Sequence, residues 1–163
     1  MKRVLIIALV IVLALLTSCS GSDDTQQSQS RDPETKTESV EENNEMKQIT
    51  MTINDETVEV TWEDDESVKA LADLVSDSPL TIDTSMYGGF EQVGAIGTDL
   101  PSSDINITTK PGDIMLYTGN NIVVFYGSNS WSYTRLGHIE NKSKSELEDL
   151  LGADKVTIVI SAE

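Results

Sequence analysis

Cysteine, histidine, aromatic side chains and positive charge are all scarce in this chain of 163 residues, and each scarcity removes a class of function. The one cysteine, Cys19, has no partner within the chain, so no intramolecular disulfide framework holds the fold. With one histidine (His138) and one cysteine, the nitrogen and sulfur donor sets of zinc or copper are missing. Only an oxygen-ligated cation such as calcium remains open, and the acidic run "EDDE" (63–66) is better assigned to the start of a helix. No metal and no cofactor is expected. Basic residues number 11 against 28 acidic ones, which argues against nucleic acid and against docking on anionic lipid by charge. No phosphate loop, dinucleotide fingerprint or nucleophile–base pair is present, and no residue is assigned a catalytic role. Long apolar runs are also missing, with one exception: Val4 to Leu16, 13 residues, short of the roughly 20 that a membrane-spanning helix needs.

That run follows Lys2 and Arg3 and has the length of a secretory h-region. It ends in Leu16-Thr17-Ser18-Cys19, which resembles the bacterial lipobox, in which the cysteine is lipidated and becomes the mature N-terminus. The alternative is an ordinary signal peptide followed by a chance cysteine. On the lipobox reading, residues 1–18 are a lipoprotein signal peptide and Cys19 carries a diacylglyceryl group. Its two acyl chains suffice for stable anchoring where one is marginal. The partner is then the lipid bilayer, and the location the extracytoplasmic face of the cell membrane. The mature chain would keep no free thiol.

Residues 20–47 contain no aromatic side chain and only two sizeable apolar ones, Val40 and Met46. Such a segment cannot bury enough surface to offset its ordering entropy. With Cys19 it forms an expected lipidated N-terminus and disordered acidic tether (19–47), reaching about 30 Å as a coil.

The remaining segment, 48–163, is one domain of ordinary size. "ITMTI" (49–53) and "TVEVTW" (57–62) alternate with period two around "NDE", which predicts a hairpin. Val68, Leu71, Ala72 and Val75 share one helical face behind an acidic first turn. "LTIDT" (80–84) returns to strand, and "YGGFEQVGAIG" reads as strand interrupted by bulges or tight backbone approaches. "INITT" (105–109), then "DIMLYTG" and "IVVFYG" about the turn "GNN", then "YTRLGHIE" (133–140) continue the strands. "SKSELEDLLG" is a short helix ending at Gly152, and "KVTIVIS" (155–161) is the last strand. Many short strands with two helical interruptions predict a mostly β domain: a closed or nearly closed barrel of about eight strands with two short helices.

Four of the eight aromatic residues fall in "FYGSNSWSYTRLG" (125–137), which makes this segment the place to look for a site. Together, "YGGFE", "KPGDIMLY", "IVVFYGSNSW" and "RLGHI" resemble the bacterial cyclophilin-like domains, many of them small secreted proteins or lipoproteins. The order of elements is similar to the cyclophilin barrel, and the resemblance extends over 48–163. It implies a groove lined by Phe90, Phe125 and Trp131, with Gln92, Tyr126 and Arg135 as further candidates.

In the prolyl isomerases of that family an arginine lies five residues before the phenylalanine of a Pro-Gly-Phe step, and a glutamine three residues after it. Gly88-Gly89-Phe90 matches the step, which puts Ser85 at the arginine position and leaves Gln92 one residue early. The expected function is therefore non-catalytic binding of a peptide or small ligand by a monomer. One alternative is an extracytoplasmic prolyl isomerase or folding factor with unusual catalytic residues. Another, implied by the resemblance alone, is an accessory to a flavodoxin-like redox partner. Trp131, flanked by small residues, reads as a loop residue that either walls the groove or closes the barrel edge. Arg135 reads as an ion-pair partner or a ligand contact, and His138 as solvent-facing.

Overall fold

The structure, a computed structural model, describes residues 48–163. The expected signal peptide, Cys19 and the tether lie outside the described residues. Ten strands and two helices follow in the order β1 (Ile49–Ile53), β2 (Glu56–Val58), β3 (Val60–Trp62), α1 (Glu66–Leu74), β4 (Leu80–Tyr87), β5 (Glu91–Ala95), β6 (Ile105–Thr108), β7 (Asp113–Tyr117), β8 (Asn121–Phe125), β9 (Ser130–Ile139), α2 (Lys144–Leu151) and β10 (Lys155–Ala162).

The sheet runs β2-β1-β10-β4-β5-β8-β7-β9-β3, and β6 pairs with the outer half of β9. Its two ends, β2 and β3, are separated only by Glu59. One short stretch of chain therefore pairs with β1 on one side and with β9 on the other. The sheet thereby curls into a nearly closed barrel. Counting β2 and β3 as one broken strand gives eight around it, as the alternation of the sequence predicts. The indole Nε1 of Trp62 donates to the Ile49 carbonyl at 3.0 Å across this seam.

Alternation decides what fills the interior. Met51 and Ile53 of β1, Ile82 of β4, Ile114 and Leu116 of β7, Ile122 and Val124 of β8, and Ile158 and Ile160 of β10 all join one buried cluster. Helix α1 adds Val68, Leu71 and Ala72, and α2 adds Leu147 and Leu151. Each helix begins as its sequence dictates. Asp65 caps α1 by accepting from the Val68 N–H at 2.9 Å. Ser143 and Glu146 form a reciprocal capping box on α2, whose hydrogen bonds hold the Glu146 carboxyl below its ordinary value. A side-chain cap such as that of Asp65 contributes about 1 kcal/mol. No helix among the described residues is long and apolar enough to cross a membrane.

Strands β7 and β8 depart from simple alternation, because they are buried on both faces. Met115, Val123 and Phe125, facing away from the interior, join Tyr133 in a second buried cluster, with Phe90, Val93, Ile107 and Tyr117 packed on it. This second layer lies outside the barrel. It is the ground on which the site is built.

Candidate functional site

A cavity of about 580 Å³ opens over that outer layer, lined by Tyr87, Phe90, Glu91, Val93, Tyr117, Val123, Asn129, Trp131 and Tyr133. Its volume lies in the range of small-molecule pockets. The sheet register explains how distant residues converge. Tyr87, Glu91 and Phe125 sit side by side on β4, β5 and β8, and so do Ser85, Val93 and Val123 one step along. Tyr133 stands edge-on to both Phe125 and Tyr117, with ring centroids 5.6 and 5.9 Å apart. Such edge-to-face pairs contribute about 0.5–1.5 kcal/mol beyond their burial and fix the orientation of the wall.

Phe90 owes its position to two glycines. Gly88 and Gly89 turn the chain from β4 to β5 with φ of 64° and 77°, a left-handed conformation that any residue with a Cβ adopts only under strain. A Cβ on Gly88 would come within 2.3 Å of the Phe90 ring, and one on Gly127 within 2.5 Å of the Phe90 Cβ. The Phe90 carbonyl accepts from the Tyr126 and Gly127 N–H groups at 3.0 and 2.9 Å. The ring is thus clamped between two places that only glycine leaves open. Tyr87 and Trp131 form the exposed rim, at 67% and 57% exposure.

Two polar features interrupt the aromatic lining. The Asn129 side chain donates to the Tyr133 hydroxyl at 3.1 Å. Glu91 is only 4% exposed, and its Oε2 has no hydrogen-bond partner among the described residues. Burial pushes its carboxyl up from 4.5 to about 7. Burial also raises the Tyr133 hydroxyl, and the Glu91 charge raises it further. No lysine, arginine or histidine among the described residues lines the cavity. No group of three or more metal-ligating side chains occurs among the described residues.

The candidate residues from the sequence separate into two sets. Phe90 and Trp131 line the cavity. Gln92, Phe125, Tyr126 and Arg135 do not, and each placement has a physical reason. Gln92 points into the barrel, where its amide donates to the Leu151 and Ala153 carbonyls at 2.7 and 2.6 Å and accepts from Thr84 at 2.8 Å. Two residues after Phe90 is the wrong parity for the outer face; the residue three after it, Val93, lines the cavity. Phe125 is wholly buried in the layer with Tyr133, and Tyr126 belongs to the interior cluster. Arg135 donates to Asp113 at 2.8 Å and approaches Glu63 at 3.9 Å.

Two local expectations need correcting. Trp131 is not in a loop: it sits in β9, paired with Ile107 of β6. The small residues around it read as a loop because a polar, exposed edge strand has no apolar alternation. His138 is half-buried and engaged rather than simply solvent-facing; its Nδ1 lies 2.9 Å from Asp113, which is fully buried and also accepts from Arg135 and the Lys110 N–H. Ser85, the position matched to the isomerase arginine, pairs with Val93 on the cavity side of β4. Glu91 escaped the sequence reading altogether. The signal that could have found it is its parity: adjacent to Gln92, it must face the opposite side of the strand.

Residues 51–161 match the model of the cyclophilin-like family. A solution structure of a hypothetical protein from Archaeoglobus fulgidus aligns with 72% of this chain and 96% of its own, at 18% identity and a TM-score of 0.48. No curated protein matches the chain.

Proposed function

As the chain belongs to the cyclophilin-like family, we propose that its barrel is a non-catalytic binding module, held at the extracytoplasmic face of the cell membrane by lipidated Cys19, that takes a small ligand or peptide side chain. The observation that carries this reading is the aromatic cavity of about 580 Å³ on the outer face of the barrel. Tyr87 and Trp131 are large, exposed and placed together at its rim, where a monomer gains nothing from exposing them.

The case against catalysis is electrostatic. Prolyl isomerisation must lower a barrier of about 20 kcal/mol, and a preorganised cationic donor is the main means the family offers. Here Ser85 holds the position that the resemblance matches to the arginine, no cationic side chain among the described residues lines the cavity, and Arg135 is engaged by Asp113. Loss of such a donor costs on the order of a hundredfold or more in rate.

Two experiments test the proposal. An X-Pro peptide isomerisation assay should find at most weak activity in the unmodified chain and a gain in Ser85→Arg; robust activity in the unmodified chain would sink the non-catalytic reading. Mass spectrometry of the membrane fraction should find acyl mass on an N-terminal Cys19 and none in Cys19→Ala. A mature N-terminus elsewhere, without acyl mass, would remove the anchor.

A further inference from the structure

We propose that the cavity is a site for an organic cation: an amine on an apolar body, whose ammonium meets the Glu91 carboxylate while the body lies against Tyr87, Phe90 and Trp131. This inference rests on reading the cavity as the binding site, and it names the chemistry of the ligand.

Glu91 is the anomaly that points there. Buried carboxylates in folded proteins are paired or hydrogen-bonded, because an isolated one is costly to bury. Glu91 is 4% exposed, lines the cavity, and leaves Oε2 without a partner. The titratable groups around it are Tyr87 on β4, Tyr117 on β7, Tyr126 just beyond β8 and Tyr133 on β9, and none of them carries positive charge. The described residues supply no counter-ion, so a ligand can.

The aromatic lining favours the same sign. The faces of tyrosine, phenylalanine and tryptophan rings attract cations through their quadrupole, most strongly where water is excluded. The charge of the whole domain agrees. Residues 48–163 carry twenty acidic and six basic side chains, and four of the six are held in ion pairs: Lys69, Arg135, Lys142 and Lys144. An anion approaching the cavity meets repulsion and a cation meets attraction. Burial already holds the Glu91 carboxyl near 7. An arriving ammonium stabilises its ionised form, so binding below neutral pH must expel a proton and weaken accordingly.

The test is calorimetric titration of the full chain with four probes at pH 6 and pH 8. The probes are phenethylamine, its neutral counterpart 2-phenylethanol, the anion phenylacetate, and N-acetyl-lysine N-methylamide, which presents a lysyl side chain. The expected result is that one or both amines bind at least tenfold more tightly than the alcohol or the anion at pH 8, and several-fold more weakly at pH 6. Glu91→Gln should abolish the preference for the amine while retaining 2-phenylethanol, and Trp131→Ala should weaken every probe. Tighter binding of the lysyl probe assigns the cation to a peptide side chain; tighter binding of phenethylamine assigns it to a free amine. Equal binding of alcohol and amine, or an amine preference that persists in Glu91→Gln, overturns the proposal. If the alcohol or the anion binds best and is lost in Trp131→Ala, the cation is wrong and the cavity remains a binding site. If none of the four binds at millimolar concentration, both readings fall.

Discussion

Replacing Glu91 by glutamine should change how the stability of this protein responds to pH, and the size of the effect follows from where the carboxyl sits. In the unfolded chain it ionises near 4.5; in the fold, burial moves this to about 7. Between those values the folded state holds a proton that the unfolded state has released, so stability falls as pH rises through the interval. The contribution is fully present below pH 4.5 and gone above pH 7, where folding must bury a carboxylate. A difference of this size corresponds to about 3 kcal/mol in all, most of which lies between pH 5 and pH 8.5. For a domain of this length that is on the order of 10 °C in Tm.

Glutamine keeps the shape of the side chain and removes the titration. Urea denaturation of the full chain, followed by Trp62 and Trp131 fluorescence at pH 5, 6, 7 and 8.5, provides the comparison. The other ionisable groups are common to the two proteins, and Tyr126 and Tyr133, which feel the Glu91 charge, are raised from 10.0 and so ionise above this range. The unmodified protein should lose about 2–3 kcal/mol relative to Glu91→Gln as pH rises, so that the variant is the more stable of the two at pH 8.5. Parallel pH profiles for the two proteins would refute the reasoning, since a carboxyl in water would behave in that way.

Two further variants probe the separation between the interior and the cavity. Gln92→Leu strands the buried Leu151 carbonyl and removes an acceptor of the buried Thr84 hydroxyl; it should cost about 3 kcal/mol in denaturation and leave phenethylamine affinity unchanged. Gly127→Ala sets a methyl group 2.5 Å from the Phe90 Cβ. It should cost about 1–3 kcal/mol through overpacking and, by displacing the Phe90 ring, weaken phenethylamine binding, as titration of the two proteins side by side will show.

These contrasts indicate what the sequence could and could not disclose. The barrel was legible because its interior is written in period two: "ITMTI" and "KVTIVIS" present an apolar residue to the core at every second position, and "LTIDT" does so until Thr84. The helices were legible from Asp65 and Ser143 at their starts and from the faces they bury. Their edges were less so. β4 runs on to Tyr87, because "SMY" has one face to the cavity and none to the interior, which leaves no alternation to read.

The site was only half legible because it occupies the outside of the barrel, where a second apolar layer is superimposed on the first. In "DIMLY" and "IVVF" every residue is apolar or buried, so the pattern announces burial without saying which residue faces which layer. Parity must then come from the partners. Phe125 and Tyr126 differ by one position and lie in different clusters. The same holds for Glu91 and Gln92: a match by residue type selected the glutamine, whose amide turns inward to the end of α2, and passed over the carboxyl beside it. A one-residue displacement from a family pattern is small in sequence and complete in a strand, because it exchanges the two faces of the sheet. The departure of Gln92 from the isomerase spacing therefore has a definite consequence. It places the glutamine in the core and leaves the cavity lined by Val93 and by Glu91, whose Oε2 has no partner among the described residues. On the proposed reading, such a cavity presents an acceptor that suits a cation where an isomerase groove would present a donor to a prolyl amide.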